Sequence, residues 1–93
     1  MWYVYVLKSV QQQFLYIGST NDLKRRLQEH NDGTSKSTAP YRPFTIATFI
    51  AFPTAGQARV LEKYFKTGSG RTVLKKRILH DEDLAEYEVH SEA

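Results

Sequence analysis

The sequence predicts an α+β domain: a three-stranded, mostly antiparallel sheet flanked by helices, in the order β-β-α-β-α-α. Three observations carry that expectation. WYVYVLKS and FLYIG, both rich in β-branched and aromatic residues, stand only four residues apart. LKRRLQEH has apolar residues one turn apart behind a cluster of capping residues. The apolar run FTIATFIAF separates that helix from a second helical pattern.

The connection VQQQ, residues 10 to 13, suits a hairpin, although it lacks the Gly or Asn that fixes a turn type. With an even loop, Tyr3, Tyr5 and Leu7 share a sheet face with Phe14 and Tyr16, because side chains alternate with period two. Ser19, Thr20, Asn21 and Asp22 offer N-caps for a helix from about residue 22 to His30, closed by Asn31-Asp32-Gly33. TSKSTAPYRP is a polar loop broken by Pro40 and Pro43. The nearly continuous apolar character of FTIATFIAF predicts a third strand covered on both faces. Pro53-Thr54 leads into a helix near residues 55 to 66, Gly68-Ser69-Gly70 stops it, and a last short helix spans about RTVLKKRIL.

With 93 residues, 41% of them apolar and 12 of them aromatic, the chain has the composition of one folded domain rather than a disordered tail. The expected division is a domain over residues 1–80 and an acidic tail over 81–93. The absence of cysteine removes disulfides, thiolate metal sites and thiol nucleophiles, and suits a reducing compartment. The start has no basic leader, and no apolar run approaches the roughly 18 residues of a membrane span, so a soluble cytoplasmic protein is expected.

The net charge of +3 conceals a segregation. Residues 1–80 hold all 13 Lys and Arg against Asp22, Glu29, Asp32 and Glu62, a net of +9, whereas residues 81–93 hold six acids and no base. A basic body favours a polyanion such as nucleic acid, because basic side chains release condensed counterions on binding. The tail is open to three readings: a solvated helix or strand, a disordered end, or an acidic strip folded over the basic face.

Helical geometry separates the two arginines of LKRRLQEH. At about 100° per residue, Leu23 and Leu27 face the core, Arg26 and His30 run along the edge of that stripe toward the sheet, and Arg25 points into water. Taken singly, each has an ordinary structural explanation: an arginine snorkelling past a core rim, a histidine at a core edge. The pair, on a helix that follows a tyrosine strand, is harder to explain so. In the second helix, Glu62 falls on the stripe of Ala58, Leu61 and Phe65. A carboxylate there is costly unless paired, for which Arg26 and Lys63 are candidates, or bound to a cation.

Tyr5, Tyr16, Arg26, His30 and Glu62 together suit phosphodiester hydrolysis. A base takes a proton from water, a cation stabilises charge on the phosphoryl oxygens, and a carboxylate holds a hard divalent metal. One carboxylate makes a sparse site, which fits Mg²⁺ because that ion keeps several waters and shares substrate oxygens.

The spacing Tyr3-Val4-Tyr5, Tyr16-Ile17-Gly18, Arg26 ten residues on, His30 four further and a helical Glu62 resembles the GIY-YIG nuclease superfamily. It is most similar to the small stand-alone branch, through WYVYVLKS, YIGSTNDLKRRLQEH and GSGRTVLKKR, and covers residues 2 to about 79. The resemblance implies roles. Tyr5 matches the tyrosine of the first motif and Tyr16 that of the second, one of which, commonly the second, is the general base or orients the attacking water. Arg26 matches the phosphate-stabilising arginine, His30 the position that assists proton transfer, and Glu62 the carboxylate that binds Mg²⁺ or Mn²⁺. Three positions depart from the pattern: Tyr3 stands where Gly is usual, no Asn follows Glu62, and Ser19 replaces the lysine of some relatives.

Arg59 to Arg77 holds seven Lys or Arg against Glu62. Within and beside it, Arg25, Lys66, Arg71, Lys75 and Lys76 are candidate contacts to a nucleic-acid backbone, which would position DNA without reading sequence. The helix start after Gly68 and Gly70 either offers amides to a phosphate or is a plain helix-to-helix turn. The expected function is a metal-dependent endonuclease acting on DNA, selective for structure rather than sequence, in repair or recombination. The alternative is a nucleic-acid-binding module of the same fold without turnover.

Overall fold

A computed structural model describes residues 1–91. Strand β1 (Trp2–Ser9) pairs antiparallel with β2 (Phe14–Thr20), and Ser9 Oγ braces the hairpin by accepting from the Gln12 amide at 3.2 Å and donating to the Tyr41 carbonyl at 2.6 Å. Helix α1 (Leu23–Asn31) starts at Asp22, whose carboxylate accepts the Arg25 amide at 3.0 Å, and the chain leaves it through Gly33 at a φ of 79°. Asn31 fastens its end to the next strand, accepting from the Phe44 amide at 2.7 Å and donating to the Phe44 carbonyl at 3.2 Å. A short 3₁₀ turn (Ala39–Tyr41) precedes β3 (Phe44–Phe52), then α2 (Ala55–Phe65) and α3 (Gly68–Val73). The last continues as a π-helical turn over Leu74–Ile78. A further 3₁₀ turn (Glu82–Leu84) leads to β4 (Glu88–Ser91).

The sheet differs from the sequence expectation in having four strands and mixed pairing, in the order β3-β1-β2-β4. The fourth comes from the acidic segment: β4 lies parallel to β2, with Tyr16 opposite His90 and Ile17 opposite Ser91. It covers what would otherwise be an open edge of β2. Leu84 is buried with the core, and Tyr87 and Val89 pack against it, so residues 81–91 are folded onto the body.

Alternation along β1 and β2 divides the interior in two. Val4, Val6, Leu15 and Ile17 meet Ala58, Phe65, Leu74 and Leu84 on the side of α2 and α3. Tyr5, Leu7, Phe14 and Tyr16 meet Phe44, Leu23 and Leu27 on the side of α1, the shared face that the hairpin arithmetic predicts.

The third strand is not covered on both faces. β3 lies at an edge and exposes Thr45, Ala47, Phe49 and Ala51. Its apolar run arises from a bulge: Ile46 pairs with Leu7 and Thr48 with Val6, leaving Ala47 without a partner. The extra residue reverses the alternation, so Phe44 and Ile46 join the aromatic side while Ile50 and Phe52 join the aliphatic side.

The α2–α3 junction settles the role of Gly70. A β-carbon there would collide with the Tyr64 carbonyl, and the Gly70 amide already donates to Thr67 Oγ1 at 3.0 Å. The helix begins at Gly68 under a Thr67 cap, and Gly70 serves the close helix-to-helix turn, its amide already engaged.

Candidate active site

Tyr5 and Gly18 are partners across the β1–β2 pair. The Tyr5 ring lies over the glycine: a β-carbon at position 18 would collide with the phenol oxygen and come within 2.6 Å of Cζ. Glycine is required there by close approach, and its absent side chain lets the hydroxyl cross β2 toward α1.

Two side chains of α1, one turn apart, close on that hydroxyl. Arg26 Nε donates to the Tyr5 oxygen at 3.3 Å, and His30 Nε2 stands 3.0 Å from it. Arg26 also donates through Nη1 to Glu29 Oε1 at 3.3 Å, while its side chain keeps 20% exposure. The guanidinium is thus braced by a carboxylate and partly exposed to solvent.

His30 is fully buried, and its other nitrogen, Nδ1, stands 2.8 Å from Thr38 Oγ1. Thr38 is fully buried as well, and its hydroxyl donates to the Ser35 carbonyl at 3.3 Å. The Tyr16 ring centroid lies 4.9 Å from that of His30 at a tilt of 59°, with the Tyr5 ring 5.9 Å away on the same imidazole. Four of the five predicted side chains, Tyr5, Tyr16, Arg26 and His30, therefore form one contiguous group.

Glu62 is placed differently. It lies on the stripe of α2 between Ala58 and Phe65, helix residues packed against the aliphatic side of the sheet, and is 8% exposed. Lys66, one turn on, is a charged neighbour, with Nζ 4.0 Å from Oε2. Among the described residues no cluster of three or more His, Asp or Glu could hold a metal ion.

The proposed backbone contacts also divide. Arg25, Arg71 and Lys76 are exposed, and Lys66 is half-buried beside Glu62. Lys75 is engaged: its Nζ donates to the Ala85 carbonyl at 3.2 Å and the Tyr87 carbonyl at 2.7 Å, pinning the acidic segment. A cleft of about 810 Å³ opens there, between Arg71, Lys75 and Lys76 and the acids Asp81 and Glu82, and includes no member of the tyrosine group. With both signs of charge along its walls it is a poorer seat for a polyanion than the exposed bases alone.

Sequence reasoning missed Thr38, Ser35 and Glu29. Thr38 precedes Ala-Pro at the start of a 3₁₀ turn, where a threonine ordinarily reads as a cap, yet its hydroxyl makes no capping bond. It goes to His30, eight residues back, a use that nothing local signals.

The sequence profile of the GIY-YIG catalytic domain matches residues 1–77, which include all five residues above. The chain belongs to the GIY-YIG family. Within it, similar proteins include a UPF0213 protein of Bacillus pumilus (strain SAFR-032), 39% identical over 83 residues, covering 88% of this chain and 80% of that one. UPF0213 protein YazA of Bacillus subtilis (strain 168) is 35% identical over 82 residues, covering 87% and 78%. A UPF0213 protein of Clostridium perfringens (strain 13 / Type A) is 37% identical over 67 residues, covering 71% of each chain. No solved structure matches the chain significantly. The GIY-YIG assignment accounts for the hairpin that presents Tyr5 and Tyr16 and for the helix that returns Arg26 and His30 to them. It makes this a nuclease-type domain with nucleic acid as its partner class.

Proposed function

We propose that this GIY-YIG protein is a divalent-metal-dependent endonuclease that hydrolyses DNA phosphodiester bonds, selecting its substrate by structure rather than sequence. The observation that carries the reading is the hydrogen-bonded run Arg26–Tyr5–His30, which puts a phenol hydroxyl between a fixed cation and an imidazole. Such a group can accept a proton from an attacking water and pass it inward, while the exposed part of Arg26 meets the phosphoryl oxygens. In the reaction, the water oxygen forms a bond to phosphorus, the bond to the leaving-strand oxygen breaks, and that oxygen acquires a proton from solvent.

Glu62 is the residue that would hold Mg²⁺ or Mn²⁺, and its position fits one: a buried carboxylate whose ion pair, at 4.0 Å, is loose enough to be exchanged for a harder cation. Such an ion supplies positive charge to the phosphoryl oxygens when bound. The exposed Arg25, Arg71 and Lys76 would hold the backbone. A domain of 93 residues keeps little surface for reading bases, which is why structure is the better-supported selector, and repair or recombination of DNA in the cytoplasm the proposed setting.

A second reading, binding without turnover, is favoured by the Glu62–Lys66 pair and by the lack of any asparagine after Glu62. One experiment separates them. Purified protein is incubated with Mg²⁺ or Mn²⁺ and duplex, nicked, branched and single-stranded DNA. Cleavage is expected for the wild type, with a loss of about 10²-fold or more in Glu62→Gln and Tyr5→Phe. Undiminished cutting by Glu62→Gln would falsify the metal-dependent reading. Salt-sensitive binding with no cleavage by any form would establish the second.

A further inference from the structure

We infer that Tyr3 and Phe49 form a stacking platform for one unpaired base of a nucleic acid held at the tyrosine group, which makes single-stranded or locally opened strands the substrate class. The inference deepens the nuclease reading, resting on its choice of nucleic acid as partner but not on turnover. Burial singles the pair out. Of the large apolar side chains that are exposed among the described residues, Phe49, at 51%, is the only one carried by a strand. Its ring stands edge-on to that of Tyr3, with centroids 5.9 Å apart and planes at 74°.

The register puts this pair on the sheet face that carries the site. Phe49 lies opposite Tyr5 across β1 and β3, and Tyr3, two residues before Tyr5, lies opposite Ala51. Side chains at these positions point to one face, and Phe49 is the diagonal neighbour of Tyr3. Tyr3 stands about 7 Å along the strand from Tyr5, and Phe49 about 5 Å across from it, so the platform is within one nucleotide's reach of the Tyr5 position.

The course of α1 explains why the pair is uncovered. The helix is tied at its start to the end of β2, where Thr20 Oγ1 accepts from the Asp22 amide at 3.1 Å, and at its end to the start of β3, through Asn31 and Phe44. It therefore crosses the face diagonally, with Leu23 and Leu27 packed against the aromatic cluster, and leaves open the corner where the start of β1 meets the end of β3. Tyr3 is half-buried at that corner, and Phe49 and Ala51 are exposed. Charge selects a nucleic acid over an apolar protein as the occupant. Residues 1–80 carry a net of +9, and Lys24 and Arg25 are exposed on the first turn of α1, next to Thr20, the strand position opposite Tyr3. Aromatic side chains beside a basic surface take up the faces of bases, and bases paired within a duplex keep those faces stacked on one another, so the platform serves an unpaired one.

Binding is measured on the full chain without divalent metal, so that no strand is cut. The probes are a short single-stranded oligonucleotide, an abasic strand of the same length with the same phosphates, and the corresponding duplex, each titrated by fluorescence anisotropy. Wild type is expected to bind the ordinary strand about 5- to 100-fold more tightly than the abasic one. Phe49→Ala and Tyr3→Ala should remove most of that ratio while leaving affinity for the abasic strand and the duplex unchanged. Phe49→Tyr should keep the ratio, and Phe49→Leu, apolar but without a ring, should lose it. Equal affinity of wild type for ordinary and abasic strands overturns the platform alone, as does an unaltered ratio in Phe49→Ala or its full retention by Phe49→Leu. If wild type sediments as a dimer that Phe49→Ala dissociates, a second copy covers this face and the inference falls. Absence of salt-sensitive binding to any of the three probes defeats nucleic acid as the partner, which tells failure of that reading apart from failure of the platform.

Discussion

The two sides of the sheet are made from alternate residues of the same strands, yet they bury opposite chemistry. Toward α2 and α3, Val4, Val6, Leu15 and Ile17 meet Ala58, Phe65, Leu74 and Leu84, all hydrocarbon. Toward α1, the intervening residues bury Tyr5 and Tyr16, and α1 and its following loop add His30 and Thr38, both fully buried. Period-two alternation lets one hairpin encode stability on one side and chemistry on the other. The aliphatic side gains from area removed from water, with the Glu62 carboxylate as the buried charge on its α2 stripe. The aromatic side must give every buried polar group a partner, so its geometry is specified by hydrogen bonds.

The largest way to break the contrast is to open the aliphatic side. Phe65→Ala should lower stability by about 3–5 kcal/mol through lost transfer energy and a residual cavity, read as a shift of the urea midpoint. Activity per folded molecule should be unchanged, and a comparable loss of specific activity would mean that the two sides are coupled. A smaller stability effect with a larger functional one is expected from Gly18→Ala, because the new methyl occupies space taken by the Tyr5 ring. We expect about 1–3 kcal/mol of destabilisation from overpacking, together with displacement of Tyr5 from His30. The ring-proton shifts of both residues should move, and preserved shifts would show that the strand, not the ring, gives way. The smallest effect belongs to Lys75→Met, which removes two bonds to the Ala85 and Tyr87 carbonyls at a partly exposed site. It should cost about 1 kcal/mol, with faster amide exchange confined to β4. Uniformly faster exchange would mean that the acidic segment holds the whole sheet together.

Most of the architecture was legible because it follows from local periodicity. Tyr3, Tyr5 and Leu7 alternate, Phe14 and Tyr16 answer them across an even loop, and Leu23 and Leu27 turn Arg26 and His30 toward the same face. What failed to show was decided by tertiary contact. Glu88-Val89-His90-Ser91 carries too much polarity to announce a strand, and becomes one because β2 offers a free edge and Phe14 a ring on which His90 stacks, 4.5 Å between centroids. The apolar run of β3 read as a doubly covered strand because a bulge cannot be told from continuous burial by composition. Among the site residues, Arg26 and His30 could be found from a helical wheel. Thr38 could not, since its partner is chosen by how a polar loop folds back. Lys66, one turn on from Glu62, is a neighbour that the stripe argument allows but does not select.

Ala47 gives β3 one residue of slack, and that slack makes pairing mistakes self-limiting. Sliding β3 by one position along β1 would turn Phe44 and Ile46 away from their ring-lined pocket and, in the same movement, carry Ile50 and Phe52 out of theirs. No slide rescues one half without abandoning the other. A nascent hairpin that zips out of step is thus penalised twice, and a neighbouring molecule that captures this edge by simple strand addition can mimic only half of the match.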